Sequence, residues 1–374
     1  MYFDNAATTK PFEELRERFL ELIYGDYFNP SSLYTAAKNV RDAINASREG
    51  LAGLLGCQKD EVYFTSCATE ANNLALKGAV KRPKCRIVIS AAEHASVSAV
   101  AADLKNRGAE LITIPVDSGG RADVDAVIKT VNENTALVSV IHTNNETGAL
   151  NDINYIAARV KSKNPQVIFH SDGVQAFLKA SPPSDDVDIY TVSSHKICGP
   201  KGAGALKISK RVNLNPLILG GGQERGMRSG TENSAAAALF YDTAELYKHK
   251  YDSKKILEMQ NFVIETLKDS EGIKFYASEP KITGIVSLSV SGINAETLLH
   301  MLEKDGIYIG LGSACAANKS INPVLLAMGR SKEEIFGSIR ISFGLYNNLD
   351  ETKILCQKIL EYTDKIRRRK IAQI

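Results

Sequence analysis

Ser193-Ser-His-Lys-Ile-Cys-Gly-Pro-Lys-Gly202 sets Lys196 directly after a β-branched run and ahead of a glycine-rich turn. Such a lysine suits imine formation with an aldehyde cofactor, provided that its amine loses its proton, and the neighbouring hydroxyl and imidazole groups suit the phosphate at the cofactor's far end. The same motif also fits a lysine beside an ordinary surface turn. Asp172 stands three residues before Gln175, so both side chains can address one heteroaromatic ring. A carboxylate there keeps a pyridine nitrogen protonated and the ring electron-withdrawing. A helix N-cap explains Asp172 equally well.

Further groups widen the set. Asn145, in His142-Thr-Asn-Asn-Glu-Thr-Gly148, can donate to a phenolic oxygen, with Asn144 as its competitor. His94 can stack on a flat ring and move protons near neutrality, or simply fill core. Thr65-Ser-Cys-Ala-Thr-Glu-Ala-Asn72 runs from strand into helix, so N–H groups at Ala68 and Thr69 can cradle phosphate unless Thr69 is only a cap. Cys315 lies in Gly310-Leu-Gly-Ser-Ala-Cys-Ala-Ala-Asn-Lys-Ser-Ile-Asn-Pro323, small residues without apolar periodicity, which reads as a mobile loop presenting a thiol. Arg340 interrupts an apolar run with a fork suited to a carboxylate, whether a substrate's or an internal acid's.

These residues need a scaffold that gathers them. Between about Val62 and Ile208, β-branched runs alternate with helical stretches, the pattern of a largely parallel sheet. The runs begin at Val62, Arg86, Leu111, Leu137, Val167, Ile189 and Ala203, and several end just before Thr69, His94, Asn145, Asp172 and Lys196. In open α/β sheets ligands collect at the carboxyl ends of strands, so these turns predict one crevice. Gly220 to Thr231 reads as a flexible basic loop before a helix from Ser234. Beyond about Lys255 the pattern becomes a smaller α+β unit, near which the first dozen residues are expected to pack.

The 374 residues, 44% hydrophobic, are enough for a large core in more than one unit. A net charge of +3 gives no reason to expect nucleic acid or a membrane surface as partner. There is no signal-like N-terminus and no apolar run of membrane-spanning length, so the expected location is cytoplasmic. Six scattered cysteines without a C-x-x-C pair read as reduced thiols, not a zinc site. Arg367-Arg-Arg-Lys370 reads as a solvated basic helix end.

The combination resembles the cysteine desulfurases of the class V aminotransferase family, pyridoxal-phosphate enzymes of fold type I, in the housekeeping and nitrogen-fixation branch. The resemblance rests on Asp4-Asn-Ala-Ala-Thr-Thr9, Asn29-Pro-Ser-Ser32, Ala68-Thr-Glu70, Glu93-His94, Asn144-Asn-Glu-Thr-Gly148, Asp172-Gly-Val-Gln175, Ser194-His-Lys196, Glu224-Arg-Gly-Met-Arg-Ser-Gly-Thr-Glu-Asn233, Gly312-Ser-Ala-Cys315 and Ser338-Ile-Arg340. It implies a large domain over 15–255 with a mostly parallel seven-stranded sheet. It implies a small domain from 1–14 and 256–374, with a mobile catalytic loop at about 311–323.

The resemblance further implies a homodimer that converts L-cysteine to L-alanine and leaves a persulfide on Cys315. Lys196 binds pyridoxal 5'-phosphate and moves the α-proton, and Asp172 meets the ring nitrogen. Asn145 and Gln175 approach the phenolic oxygen, and His94 stacks and shares in proton transfer. Ala68, Thr69, Ser193 and His195 hold the phosphate, with Thr231 reaching it from the partner subunit. Arg340 and Asn145 bind the substrate. The sulfur goes to an acceptor such as an iron–sulfur scaffold or a tRNA-thiolation protein, and Cys315 can ligate a nascent cluster transiently. Otherwise no metal is expected.

Three departures from the family pattern stand out: Cys67 where glycine is usual, Cys198 two residues after the lysine, and Ala316 and Ala317 where hydroxyl residues are usual. The short C-terminus weakens the scaffold assignment in particular. The competing readings are a class V aminotransferase, which needs no thiol, a selenocysteine lyase, and a sulfur carrier without turnover.

Overall fold

The computed structural model describes residues 1–276, 279–312 and 321–371. Seven strands, β2 (Val62–Thr65), β3 (Arg86–Ser90), β4 (Glu110–Ile114), β5 (Thr135–Ser139), β6 (Ile168–Asp172), β7 (Ile189–Ser193) and β8 (Gly204–Ile208), form one sheet in the order β2-β8-β7-β6-β5-β3-β4. Pairings among β3 to β7 are all parallel, and β8 alone runs against its neighbours β7 and β2. All five residues of β7 and of β8 are buried, as expected of strands covered on both faces. The sheet matches the mostly parallel seven-stranded α/β expectation, with strand ends displaced by one or two residues.

Because β8 is antiparallel to both β2 and β7, those two strands point the same way. The carboxyl ends of β2, β3, β5, β6 and β7 therefore share one edge, and that edge carries the chemistry. Helices Ala68–Ala79 and Ala95–Asn106 leave it with their N-termini beside the crevice.

A second sheet has β1 (Tyr2–Phe3), β9 (Ile273–Phe275), β10 (Ile285–Val290), β11 (Tyr308–Leu311) and β12 (Ser338–Ser342) in the order β1-β11-β12-β10-β9. Its apolar face packs on helices Ser253–Leu267, Ala295–Lys304 and Leu349–Ile371 through Met259, Val263, Leu298, Leu355 and Ile359. β1 pairs in parallel with β11, which ties the chain's start to this sheet, while residues 4–9 cross to the large one.

Candidate active site

A cavity of about 340 Å³ opens at the shared strand edge, lined among others by Ala68, Thr69, His94, Asn145, Asp172, Gln175, His195, Lys196 and Arg340. Lys196 ends a short 3-10 turn that follows β7, and its Nζ donates to the carbonyls of Ala6 at 2.5 Å and Ala7 at 2.7 Å. Burial, reinforced by the charges of Arg340 and Lys179, pulls its pKa down to about 8. The amine thus has a substantial neutral fraction near neutrality, which an attacking nitrogen requires.

Asp172, buried at the end of β6, accepts from Asn72 Nδ2 at 2.8 Å and from the Val174 N–H at 3.1 Å. Asn72 Nδ2 also reaches Ser96 Oγ at 2.8 Å, and Ser96 Oγ lies 2.8 Å from His94 Nδ1. His94 caps helix Ala95–Asn106, with Nδ1 accepting the Ser96 N–H at 3.1 Å. That bond assigns the ring proton to Nε2 and holds the imidazole plane. The adjacent Glu93 joins β3 to the exit of β5, accepting from Ser90 Oγ and the Ile141 N–H, and burial lifts its pKa to about 8.

Asn144 and Asn145 differ in burial and in partners. Asn144 is fully buried, donating to the Ala92 carbonyl and accepting the N–H groups of Glu146 and Thr147, the pattern of a side chain that fixes a turn. Asn145 lines the cavity and donates to Glu146 Oε1 at 2.7 Å. Gln175 donates to the Ala6 carbonyl, the same oxygen that Lys196 uses.

Arg340 Nη2 meets Asp4 Oδ1 at 2.9 Å, and Nη1 meets Glu146 Oε1 at 3.1 Å and the Asn145 carbonyl at 3.0 Å. The arginine is internally paired, one of the two arrangements the sequence leaves open, and it also borders the cavity. Gly310 faces Arg340 across β11 and β12, and a Cβ there would stand 2.7 Å from Asp4 Oδ1 and 3.0 Å from Arg340 Nε. No side chain larger than hydrogen fits beside this pair without moving it.

His195 lines the cavity with Nδ1 3.1 Å from Thr8 Oγ1, and burial together with Lys196 and Lys201 lowers its pKa to about 4. Ser193 is outside the lining, a buried hydroxyl without a hydrogen-bond partner among the described residues. Thr231 is exposed and is not among the residues lining this cavity in its own chain. Cys315, with most of the expected 311–323 loop, lies outside the described residues.

The Gly220 to Thr231 segment, expected to be flexible, is tied down. Glu224 makes a buried bidentate pair with Arg48, both contacts at 2.7 Å, and accepts the Phe64 N–H, while Arg228 pairs with Glu70 beside the Thr69 turn. Glu224 and Arg225 both take left-handed backbone, a strain that the ion pair and the stacking of Arg225 on Tyr63 offset.

Residue reasoning gave Asp4, Asn72, Ser96 and Glu146 no role. Asn72 and Ser96 are ordinary polar residues near helix starts, and only the fold shows that they bridge Asp172 to His94. Asp4 and Glu146 stand in recognisable motifs, but their shared partner Arg340 is visible only in the fold.

Pyridoxal phosphate fits the groups present. The cavity offers a lysine pushed toward neutrality, a buried carboxylate held by an amide, and an imidazole with its plane fixed. It also has a helix N-terminus at Ala68 whose N-cap, Cys67, supplies no side-chain acceptor. The volume lies within the range of sites for small ligands.

The model of the aminotransferase class-V family matches residues 1–355. A NifS/IcsS protein homolog of Lactobacillus delbrueckii subsp. bulgaricus is 36% identical over 94% of each chain. The cysteine desulfurase IscS of Methanosarcina thermophila is 34% identical over 98% of this chain and 93% of its own. Among solved structures, a NifS-like protein superposes with a TM-score of 0.90 at 32% identity, covering 97% of this chain and 99% of that one. A structure described as SspA in complex with cysteine gives 0.81 at 28% identity, covering 92% and 99%. The chain belongs to the aminotransferase class-V family, in the group that holds the NifS and IscS cysteine desulfurases.

Proposed function

We propose that this chain is a pyridoxal-phosphate-dependent cysteine desulfurase, which takes sulfur from L-cysteine and releases L-alanine. The observation that carries the reading is the convergence of Lys196, Asp172 and Arg340 on one cavity at the strand edge. When bound, pyridoxal phosphate supplies an aldehyde carbon and a ring that withdraws electrons from the substrate's α-carbon.

The chain's own groups do the rest. Asp172, held by Asn72, would keep a positive ring nitrogen paired, and Asn145 and Gln175 would serve the phenolic side. Ala68, Thr69, Ser193 and His195 would hold the phosphate, with Thr231 contributed by a second copy. His94 would cover the ring and offer its Nε2 proton. Arg340 grips the substrate carboxylate with Asn145 beside it, and Lys196 Nζ takes the α-proton. The thiolate of Cys315 then attacks the substrate sulfur. A sulfur–sulfur bond forms, the carbon–sulfur bond breaks with its electron pair left on the β-carbon, and protonation there together with return of the α-proton from Lys196 gives alanine.

Two identical chains are part of this reading. Leu33 is 98% exposed, Leu219 81% and Tyr24 76%, and large apolar groups so open to water favour burial against a second copy. We further infer a division at 15–255 against 1–14 with 256–374. The acceptor of the sulfur is a partner protein of iron–sulfur cluster or thiolation chemistry, and the setting is the cytoplasm. Among the described residues no helix is long and apolar enough to cross a membrane.

The test is alanine release from L-cysteine by the wild type and by Cys315→Ala. A large loss in the variant is expected. Equal rates would replace the desulfurase step with another reaction of the same fold.

A further inference from the structure

In the free protein a single guanidinium already serves two acids. The Arg340 side chain is 9% exposed, that of Glu146 12% and that of Asp4 23%, so Glu146 is the more enclosed of the two carboxylates. Its Oε1 is occupied by Arg340 and Asn145, whereas Oε2 is buried and, among the described residues, has no hydrogen bond of good geometry. An ionised carboxylate buried with one oxygen so weakly satisfied is costly, and a proton on that oxygen lowers the cost. Burial accordingly raises the Glu146 pKa, Asp4 adds to the rise, and Arg340 and His94 oppose it. Among the described residues those three are the charged or titratable groups that face it, from β12, from the segment after β1 and from the cap of helix Ala95–Asn106, and the neutral Asn322 side chain opposes the rise as a hydrogen-bond partner.

This inference rests on Arg340 as the grip for the substrate carboxylate. A substrate carboxylate on Arg340 is a third anion around one cation in a site largely closed to water, and the acid least exposed to solvent is the one that repulsion neutralises first. We propose that Glu146 takes up a proton from solvent as the amino acid binds, so that substrate and proton enter together and leave together. No bond is broken and nothing is oxidised. The proton goes to Oε2, and Oε1 stays available to Asn145 and Arg340, so the site is neutralised without being rebuilt.

The experiment is calorimetric titration of the cofactor-loaded enzyme with L-alanine in two buffers of different protonation heat, comparing wild type with Glu146→Gln. The wild type is expected to take up about one proton more than the variant on the alkaline side of the Glu146 titration. Its alanine affinity, divided by that of the variant, should fall about tenfold per pH unit there. Equal proton counts and parallel pH profiles would overturn the proposal. Infrared difference spectra of the wild type alone should gain a carboxylic-acid C=O stretch when alanine binds, and no new band would overturn it as well. Arg340→Met separates the two layers. Alanine binding unchanged in that variant would refute the grip itself, whereas Arg340-dependent binding without extra proton uptake would refute the role of Glu146 alone.

Discussion

The two ends of the cavity are built by different means. At the sheet edge, Lys196, Asp172, Asn145 and His94 each follow a strand of one continuous sheet, and their spacing is set by strands that are packed whether or not a ligand is bound. At the other end Arg340, Asp4 and Glu146 come from three distant stretches of chain, and their side chains meet through ion pairs with one hydrogen bond to the Asn145 carbonyl. The first end is held by burial of apolar strands, the second by ion pairs that a ligand of the same charge competes for. A rigid end suits a resident cofactor, and an exchangeable end suits a substrate that comes and goes.

Breaking the rigid end should have the largest effect. Lys196→Ala is expected to lower alanine formation on the order of 10⁴-fold and to abolish the visible absorbance of the loaded protein, read by steady-state kinetics and a spectrum. Since the Lys196 pKa is drawn down to about 8, uptake of the cofactor by the free protein should quicken as pH rises and level off above that value. A flat profile between pH 6 and pH 9 would contradict the burial argument.

Breaking the exchangeable end should spare the cofactor. Arg340→Met is expected to raise KM for cysteine by on the order of 10²-fold, the loss of a charge-assisted fork, with cofactor affinity nearly unchanged. A parallel loss of cofactor would show that the two ends are one unit.

A third contrast concerns pH and the core beneath the site. Burial pulls the pKa values of His142 and His170 down to about 4, from an ordinary 6.5. Below pH 6.5 the unfolded chain binds protons that the folded chain refuses, so stability should fall as pH drops from 6.5 to 4, by at most about 3 kcal/mol per histidine. Thermal midpoints across that window check it.

A gentler lesion sharpens the comparison. Gly310→Ala drives a methyl group against Asp4 and Arg340. It should raise KM several-fold, about 1 kcal/mol, with the visible spectrum intact. The smallest effect is expected for Ser96→Ala, which removes the hydroxyl's contacts with His94 Nδ1 and Asn72 Nδ2 but leaves the backbone donor to His94 and the Asn72 bond to Asp172, for about 1 kcal/mol in activity or stability.

The same contrast explains what could be read from sequence. Strands buried on both faces are runs such as Ile189-Tyr-Thr-Val-Ser193, so the large sheet and the turns after it were visible from pattern, down to Lys196. The exchangeable end has no such pattern. Arg340 was recognised as a fork without a known partner, because pairing with Asp4 depends on β1 lying beside β11 and on Gly310 leaving room. Asn72 and Ser96 were missed for the same reason: a bridge between two helix starts is a property of the packed sheet. Composition also suggested a slack loop from Gly220 to Thr231, since glycines announce freedom, whereas Arg48, which locks it, sits far away on helix Thr35–Leu55.

The central claim is that sulfur leaves cysteine for Cys315. The most direct measurement is mass mapping of trapped thiols after the loaded enzyme meets L-cysteine for a single turnover. The account predicts one additional sulfur on the peptide containing Cys315, formed with alanine in equal amount. Alanine formed with no added sulfur on that peptide would contradict it.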